Sequence, residues 1–307
     1  MNAEISYFSL IFVRYTLVLL LSVNIIGNSF VVIIFLKKKK TMARQFSDLL
    51  LSNLAIADLL LGIVVLTCSL AFNFFGTVIN DFYCKATGGV VYLSCGVSVY
   101  TLTVIAMERY GAVLKPARAR IRRHDMERNR RILQIIWFIT LIVVSPILVF
   151  LKKLDVSGDT VDCGFVQDEI MARLGRIYDA VVVLILFLGP NCFICCLYGR
   201  LVFKLWYDSQ INHKPRLALM NSRCKLTKVS FVISAVFTIC WTPYYFRTLF
   251  TLVLGQQMLV LSLVVCRVLV VVNSCANPII YSLQCPRFRN HLRRLLDCTT
   301  KISPRVP

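Results

Sequence analysis

With 307 residues, 58% hydrophobic and only 16% charged, the chain falls well below the roughly 25% charged residues of a soluble domain. Its net charge of +20 does not indicate nucleic acid, because 25 of its 35 Lys and Arg lie in four segments: five in 37–44, eight in 115–131, six in 204–228 and six in 287–305. Long apolar blocks separate these segments, so the chain reads as an integral membrane protein with all four on its cytoplasmic side.

The apolar blocks predict an all-α membrane protein, a seven-transmembrane helix bundle with a short amphipathic eighth helix. Residues 1–9 form a short extracellular N-terminus whose one charge is Glu4. Helix 1 covers about Leu10–Leu36, too long for a signal-peptide core, and is stopped by Lys37–Lys40. Helix 2 covers about Ser47–Phe74, helix 3 about Asp81–Leu114 and helix 4 about Arg131–Leu151. An outer loop, Lys152–Arg173, leads to helix 5 at about Leu174–Trp206. Helix 6 runs over about Asn221–Leu254 and helix 7 over about Met258–Gln284, closing a single domain over 10–284. In 285–307, Phe288, Leu292, Leu295 and Leu296 alternate with arginines at helical spacing, which fits a helix lying on the inner membrane surface followed by a cytoplasmic tail.

Helix 3 organises the rest. Twenty-five residues separate Cys84 from Arg109, roughly 38 Å of helix, more than the ~30 Å hydrocarbon core. A thiol therefore sits at one interface and Glu108-Arg109-Tyr110 at the other. Most of the 13 cysteines fall inside apolar runs, where Cys is a small hydrophobe; Cys84 and Cys163 alone fall at outer-face positions. Asp58 is a mid-membrane acid with no base on its own helix, and such a group marks function. Asn28, Ser94, Ser98, Asn273, Ser274 and Asn277 can surround it with oxygen, an environment for water or a small cation such as Na⁺. Pro190, Pro243 and Pro278 each remove a backbone hydrogen bond at mid-span and loosen their helices.

These markers, taken in order, resemble the rhodopsin-like G-protein-coupled receptors over about 20–297: Gly27-Asn28, Asn53–Asp58, Cys84 with Glu108-Arg109-Tyr110, Trp137, Pro190 with Tyr198, Cys240-Trp241-Thr242-Pro243, and Asn277-Pro278-Ile279-Ile280-Tyr281. The resemblance implies a Cys84–Cys163 disulfide and a sodium pocket of Asp58, Ser98, Asn273, Ser274 and Asn277. It implies an activation switch of Trp241, Phe237, Pro190, Pro243, Asn277, Pro278, Tyr198 and Tyr281. Glu108, Arg109 and Tyr110 would meet a heterotrimeric G protein when helix 6 swings out. It implies a multi-pass plasma-membrane receptor with the N-terminus outside and the C-terminus inside, and no enzyme or obligatory cofactor. Arrestin would have only Thr299, Thr300 and Ser303 to read in the tail.

Departures narrow the ligand. Val91 stands where amine receptors carry Asp, and Val271 where visual pigments carry the retinal lysine. Arg223 stands where many relatives place an acid that latches the helix 3 arginine, which implies raised basal activity, and Ala117 replaces a larger apolar contact to the G protein. Helical counting places Val91, Tyr92, Cys95, Tyr178, Asp179, Tyr244, Arg247, Thr248 and Arg267 around the outer pocket. Residues 152–179 carry six acids against four bases. Aromatic walls with both signs of charge suit a zwitterionic or amidated basic peptide. The stretch Leu197–Trp206 is similar to the end of helix 5 in neuropeptide receptors of the RFamide, tachykinin and orexin kind. The alternatives are an orphan or small-molecule receptor with high basal activity and, remotely, a secondary transporter, for which the internal repeats are missing.

Overall fold

The computed structural model describes residues 2–36, 46–75, 80–114, 126–156, 160–165, 168–211, 217–254, 260–285 and 288–294. Side chains are described for most of these, though not for Arg223. Seven of its helices are long and apolar enough to cross a membrane. They are α1 (Asn2–Leu36), α2 (Phe46–Phe75), α3 (Asp81–Leu114) and α4 (Met126–Val144, extended by Ile147–Phe150). Next come α5 (Glu169–Val183, a π turn at Leu184–Leu188, then Gly189–Ile211), α6 (Leu217–Leu254) and α7 (Val260–Gln284). A short helix, α8 (288–294), follows α7.

α3 runs through the middle. It packs on α2, α4, α5 and α6, while α1 packs on α2 and α7, and α6 on α7. The main core gathers Leu50, Leu54, Leu102, Ile105, Phe237, Trp241 and Tyr281 around it. Large apolar side chains on the outer faces, such as Phe138, Ile139, Phe203 and Leu283, are exposed. In a bilayer those faces meet lipid, so their exposure carries no hydrophobic cost.

Several stretches differ from the sequence-based expectation: α1 already begins at Asn2 rather than Leu10, α5 at Glu169 rather than Leu174 and α6 at Leu217 rather than Asn221. The segment read as a loop holds an antiparallel hairpin, β1 (Leu151–Val156) with β2 (Thr160–Phe165), in which Lys153 pairs with Cys163. The Cys84–Cys163 disulfide ties this hairpin to the first turn of α3. α4 starts five residues earlier than expected, at Met126, and is interrupted at Ser145-Pro146. Pro146 has no N–H for the Ile142 carbonyl, and the Ser145 hydroxyl donates to that carbonyl instead, at 3.1 Å.

The same repair appears at Pro278. Its ring removes the donor that would serve the Ser274 carbonyl, and the Asn28 amide reaches across from α1 to fill the place at 3.1 Å. The close approach depends on Gly27, where a Cβ would lie only 3.0 Å from Pro278 Cγ. A glycine followed by an asparagine on α1 thus lets two helices touch and satisfies the carbonyl that the kink exposes.

Candidate functional site

At the Cys84 end of the bundle, α3, α5 and α6 enclose an aromatic cluster. The Tyr92 hydroxyl donates to Asp179 Oδ1 at 2.7 Å, and both residues are buried. Arg247 on α6 acts electrostatically on the same carboxylate. Tyr244 sets its ring edge-on to Tyr92 at 6.0 Å and to Trp241 at 5.7 Å. Trp241 lies 5.9 Å from Phe237 one turn along α6, so rings run in series from the pocket towards the middle of the bundle.

Helical counting omitted two members of this cluster. Tyr245 stacks on Phe187 at 4.6 Å and on Trp241 at 5.9 Å, and its hydroxyl lies 2.9 Å from Cys95 Sγ. Its position four residues after Trp241 was a usable signal. Phe187 had none, since the π turn rotates α5 away from the regular helical register.

The other counted residues divide. Val91 is half-buried beside the core. The Tyr178 hydroxyl turns to α4, donating to the Val143 carbonyl at 2.6 Å, and its ring packs on Phe150. The Thr248 hydroxyl donates back to the Tyr244 carbonyl at 3.2 Å. Arg267 is exposed.

At mid-bundle, Asn277 Nδ2 donates to Asp58 Oδ2 at 2.8 Å, and Ser274 also bears on the carboxylate. Asp58 Oδ1 and Asn28 Oδ1 are buried without a hydrogen-bond partner among the described residues. Ser98 and Asn273 are buried as well. Asn24 was not anticipated. It donates to the Asp58 backbone carbonyl at 2.9 Å, and its Oδ1 accepts from Asn28 at 2.6 Å. The signal was an asparagine four residues before Asn28 in an otherwise apolar run. Nearby, Asn53 Nδ2 donates to Thr101 and Asn53 Oδ1 accepts from the Trp137 indole, joining α2, α3 and α4.

At the far end, Arg109 and Glu108 pair at 2.9 Å with side chains only 5% and 8% exposed. Tyr110 packs at the edge of the core. The Tyr198 and Tyr281 hydroxyls are buried with no partner of hydrogen-bond geometry among the described residues. Tyr281 sets its ring edge-on to Phe288, which anchors α8 and also meets Phe35. Pro190, Pro243 and Pro278 lie inside α5, α6 and α7 respectively.

Residues 27–281 match the family model described as 7 transmembrane receptor (rhodopsin family). The chain belongs to that family. Among similar proteins, the QRFP-like peptide receptor of Branchiostoma floridae is 25% identical over 91% of this chain and 76% of its own. The neuropeptides B/W receptor type 1 of Homo sapiens is 30% identical over 90% of this chain and 84% of its own. The somatostatin receptor type 1 of Rattus norvegicus is 30% identical over 89% and 68%. This rhodopsin-like receptor is therefore most like neuropeptide receptors and is not an enzyme. Its seven apolar helices make it a multi-pass protein of the plasma membrane.

Proposed function

We propose that this receptor binds an extracellular peptide in the aromatic pocket and activates a heterotrimeric G protein by outward movement of α6. The observation that carries the reading is the ring series Tyr92–Tyr244–Trp241–Phe237. It begins at a buried carboxylate and leads along α6, so a ligand pressing on the pocket acts on the helix that must move. The relatives' printed names are those of receptors for peptides. The four basic segments orient the chain with its N-terminus and the Cys84 end outside and the C-terminus inside.

In this reading Asp179, with Tyr92 as its hydrogen-bond donor, receives a cationic group of the peptide. Arg247 and Arg267 face the ligand's carbonyl or carboxylate groups, and Val91, Cys95, Tyr178, Tyr244 and Thr248 shape the walls. Phe237, Trp241, Pro190, Pro243, Asn277, Pro278, Tyr198 and Tyr281 form the switch. Glu108, Arg109 and Tyr110 form the G-protein contact. The Asp58 Oδ1 and Asn28 Oδ1 atoms, buried without a partner among the described residues, fit a hard cation seeking oxygen ligands. Asp58, Ser98, Asn273, Ser274 and Asn277 would hold Na⁺ there, supplying a counter-charge for the Asp58 carboxylate.

The test is GTPγS loading in receptor-containing membranes with a promiscuous G protein. A neuropeptide panel would start with RFamide-type peptides, then peptides of the somatostatin and neuropeptide B/W classes. Saturable, peptide-dependent loading is expected. High ligand-free loading with a silent panel would favour a non-amine, non-retinal small molecule instead, and substrate uptake without loading would indicate a transporter.

A further inference from the structure

Asn191 lies directly after Pro190 on α5 and is buried, although none of the markers above includes it. Its amide holds two groups. Asn191 Nδ2 donates to the Phe187 carbonyl at 2.8 Å, inside the π turn, and Asn191 Oδ1 accepts from the Thr238 hydroxyl on α6 at 2.6 Å. Each contact sits beside a ring of the pocket series. Phe187 is the residue whose ring stacks under Tyr245, and Thr238 follows Phe237, whose ring packs on Trp241.

The Thr238 hydroxyl has a second acceptor. Its own-helix carbonyl at Ser234 lies 2.9 Å away. A hydroxyl carries one proton, so Thr238 either donates across to α5 or folds back onto α6. When the interhelical bond breaks, the threonine remains satisfied, and only the Asn191 oxygen loses its donor. Among the described residues below the π turn, α5 and α6 pack sparsely compared with α6 on α7 or α3, which gives a single polar tie more leverage here than in a dense interface.

We infer that Asn191 and Thr238 form a latch that holds α6 against α5 in the resting receptor and releases, by rotation of the Thr238 hydroxyl so that its hydrogen bond turns from Asn191 to the Ser234 carbonyl, when α6 swings out. The inference rests on the α6 movement proposed above and adds what restrains it. Asn191 is bonded to the backbone of Phe187 and Thr238 adjoins Phe237 in the chain, so displacement of either the Tyr245–Phe187 stack or the Phe237–Trp241 contact biases the same two-state element, the condition for physical coupling between sites. Asn191 and Thr238 are positioning residues in this scheme. They touch neither the ligand nor the G protein.

The test needs no ligand. Thr238→Val removes the donor while keeping the branched shape, and Asn191→Ala removes the acceptor. Each is expected to raise ligand-free GTPγS loading about fivefold, the shift for one lost hydrogen bond. The double variant should show no further increase, because the two residues act as one unit. Thr238→Ser keeps the hydroxyl and should match the wild type. Spin labels on the Arg109 end of α3 and the facing end of α6 supply a second readout independent of any G protein, and Thr238→Val should increase the population with the longer separation. Should Thr238→Val leave both the separation and the loading at wild-type values, or Thr238→Ser raise them as much as Val does, the latch is wrong. If wild type and all variants load no nucleotide with any G protein while the spin-label shift is present, the G-protein reading fails and the latch stands.

Discussion

Glu108 and Arg109, neighbours in the chain, hold each other at 2.9 Å with both side chains almost fully buried. A pair between adjacent residues closes no loop and ties no second helix. It neutralises the arginine within α3. Arg109→Ala should leave ligand affinity within about threefold and abolish nucleotide exchange, since a buried cation at the mouth is what the partner helix would meet. Glu108→Gln should raise ligand-free exchange. Radioligand binding alongside GTPγS loading separates the two effects, and persistent peptide-stimulated loading in Arg109→Ala would remove Arg109 from the coupling role.

Arg223 stands where an acid would attract Arg109. Its side chain lies outside the described residues. Arg223→Glu should lower ligand-free loading, by an attraction that the wild-type chain lacks. An unchanged basal signal would show that the end of α6 exerts no electrostatic control over Arg109.

Asp58 has one oxygen bonded to Asn277 and one without a partner of hydrogen-bond geometry among the described residues. If Na⁺ fills that place, replacing sodium by choline should raise agonist affinity in the wild type by several-fold, because the ion stabilises the resting packing. Asp58→Asn keeps the size and removes the charge, so it should erase the difference. Equal sodium sensitivity in the variant would leave Asp58 as a structural hub only.

In the pocket, Asp179 is only 8% exposed and its carboxylate is bonded to Tyr92. Truncating one member of a buried charge pair costs about 2–5 kcal/mol, so Asp179→Asn should weaken a cationic peptide about thirtyfold or more. Tyr92→Phe should cost about fivefold, one hydrogen bond. A peptide with citrulline in place of arginine separates mechanisms. It should bind the wild type weakly and lose little further affinity to Asp179→Asn, whereas equal losses from both peptides would mean that Asp179 only shapes the pocket.

The spans were legible in the sequence because long apolar runs leave strong local signals, and Asp58 because a charge inside such a run stands out; the Cys84–Cys163 bridge was legible only through the family resemblance. Relations between helices were harder to read. A membrane helix is apolar on its lipid side and on its packed side, so hydrophobic periodicity does not say which face turns inward. Ile139 is exposed and Leu54 buried, yet both are large apolar residues in apolar runs. The hidden features therefore sit where backbone geometry departs from the regular helix. The π turn brought Phe187 under Tyr245, the Ser145-Pro146 break left a carbonyl that its own serine fills, and Asn191 found Thr238. Asn24 and Tyr245 were different, since each stood four residues from a recognised marker and spacing alone could have raised it.

Gly96 shows how closely the central helix is packed, and offers a test of the fold itself. A Cβ there would lie 2.5 Å from Thr140 Cγ2 and 3.2 Å from Leu186 Cδ2. Neither neighbour yields easily. Thr140 is fully buried with its hydroxyl committed to the Ile136 carbonyl at 2.7 Å, and Leu186 is fully buried in the π turn. Gly96→Ala should therefore destabilise the purified receptor by about 1–3 kcal/mol through overpacking, read as a lower thermal midpoint in detergent. Thr140→Ser removes the obstructing methyl, and combined with Gly96→Ala should recover most of the loss. Gly111 on the same helix is the control: nothing lies within 4 Å of its Cβ position, so Gly111→Ala should be neutral or slightly stabilising through helix propensity. Equal destabilisation at both glycines would mean that the α3–α4 contact at Thr140 is looser than its geometry implies.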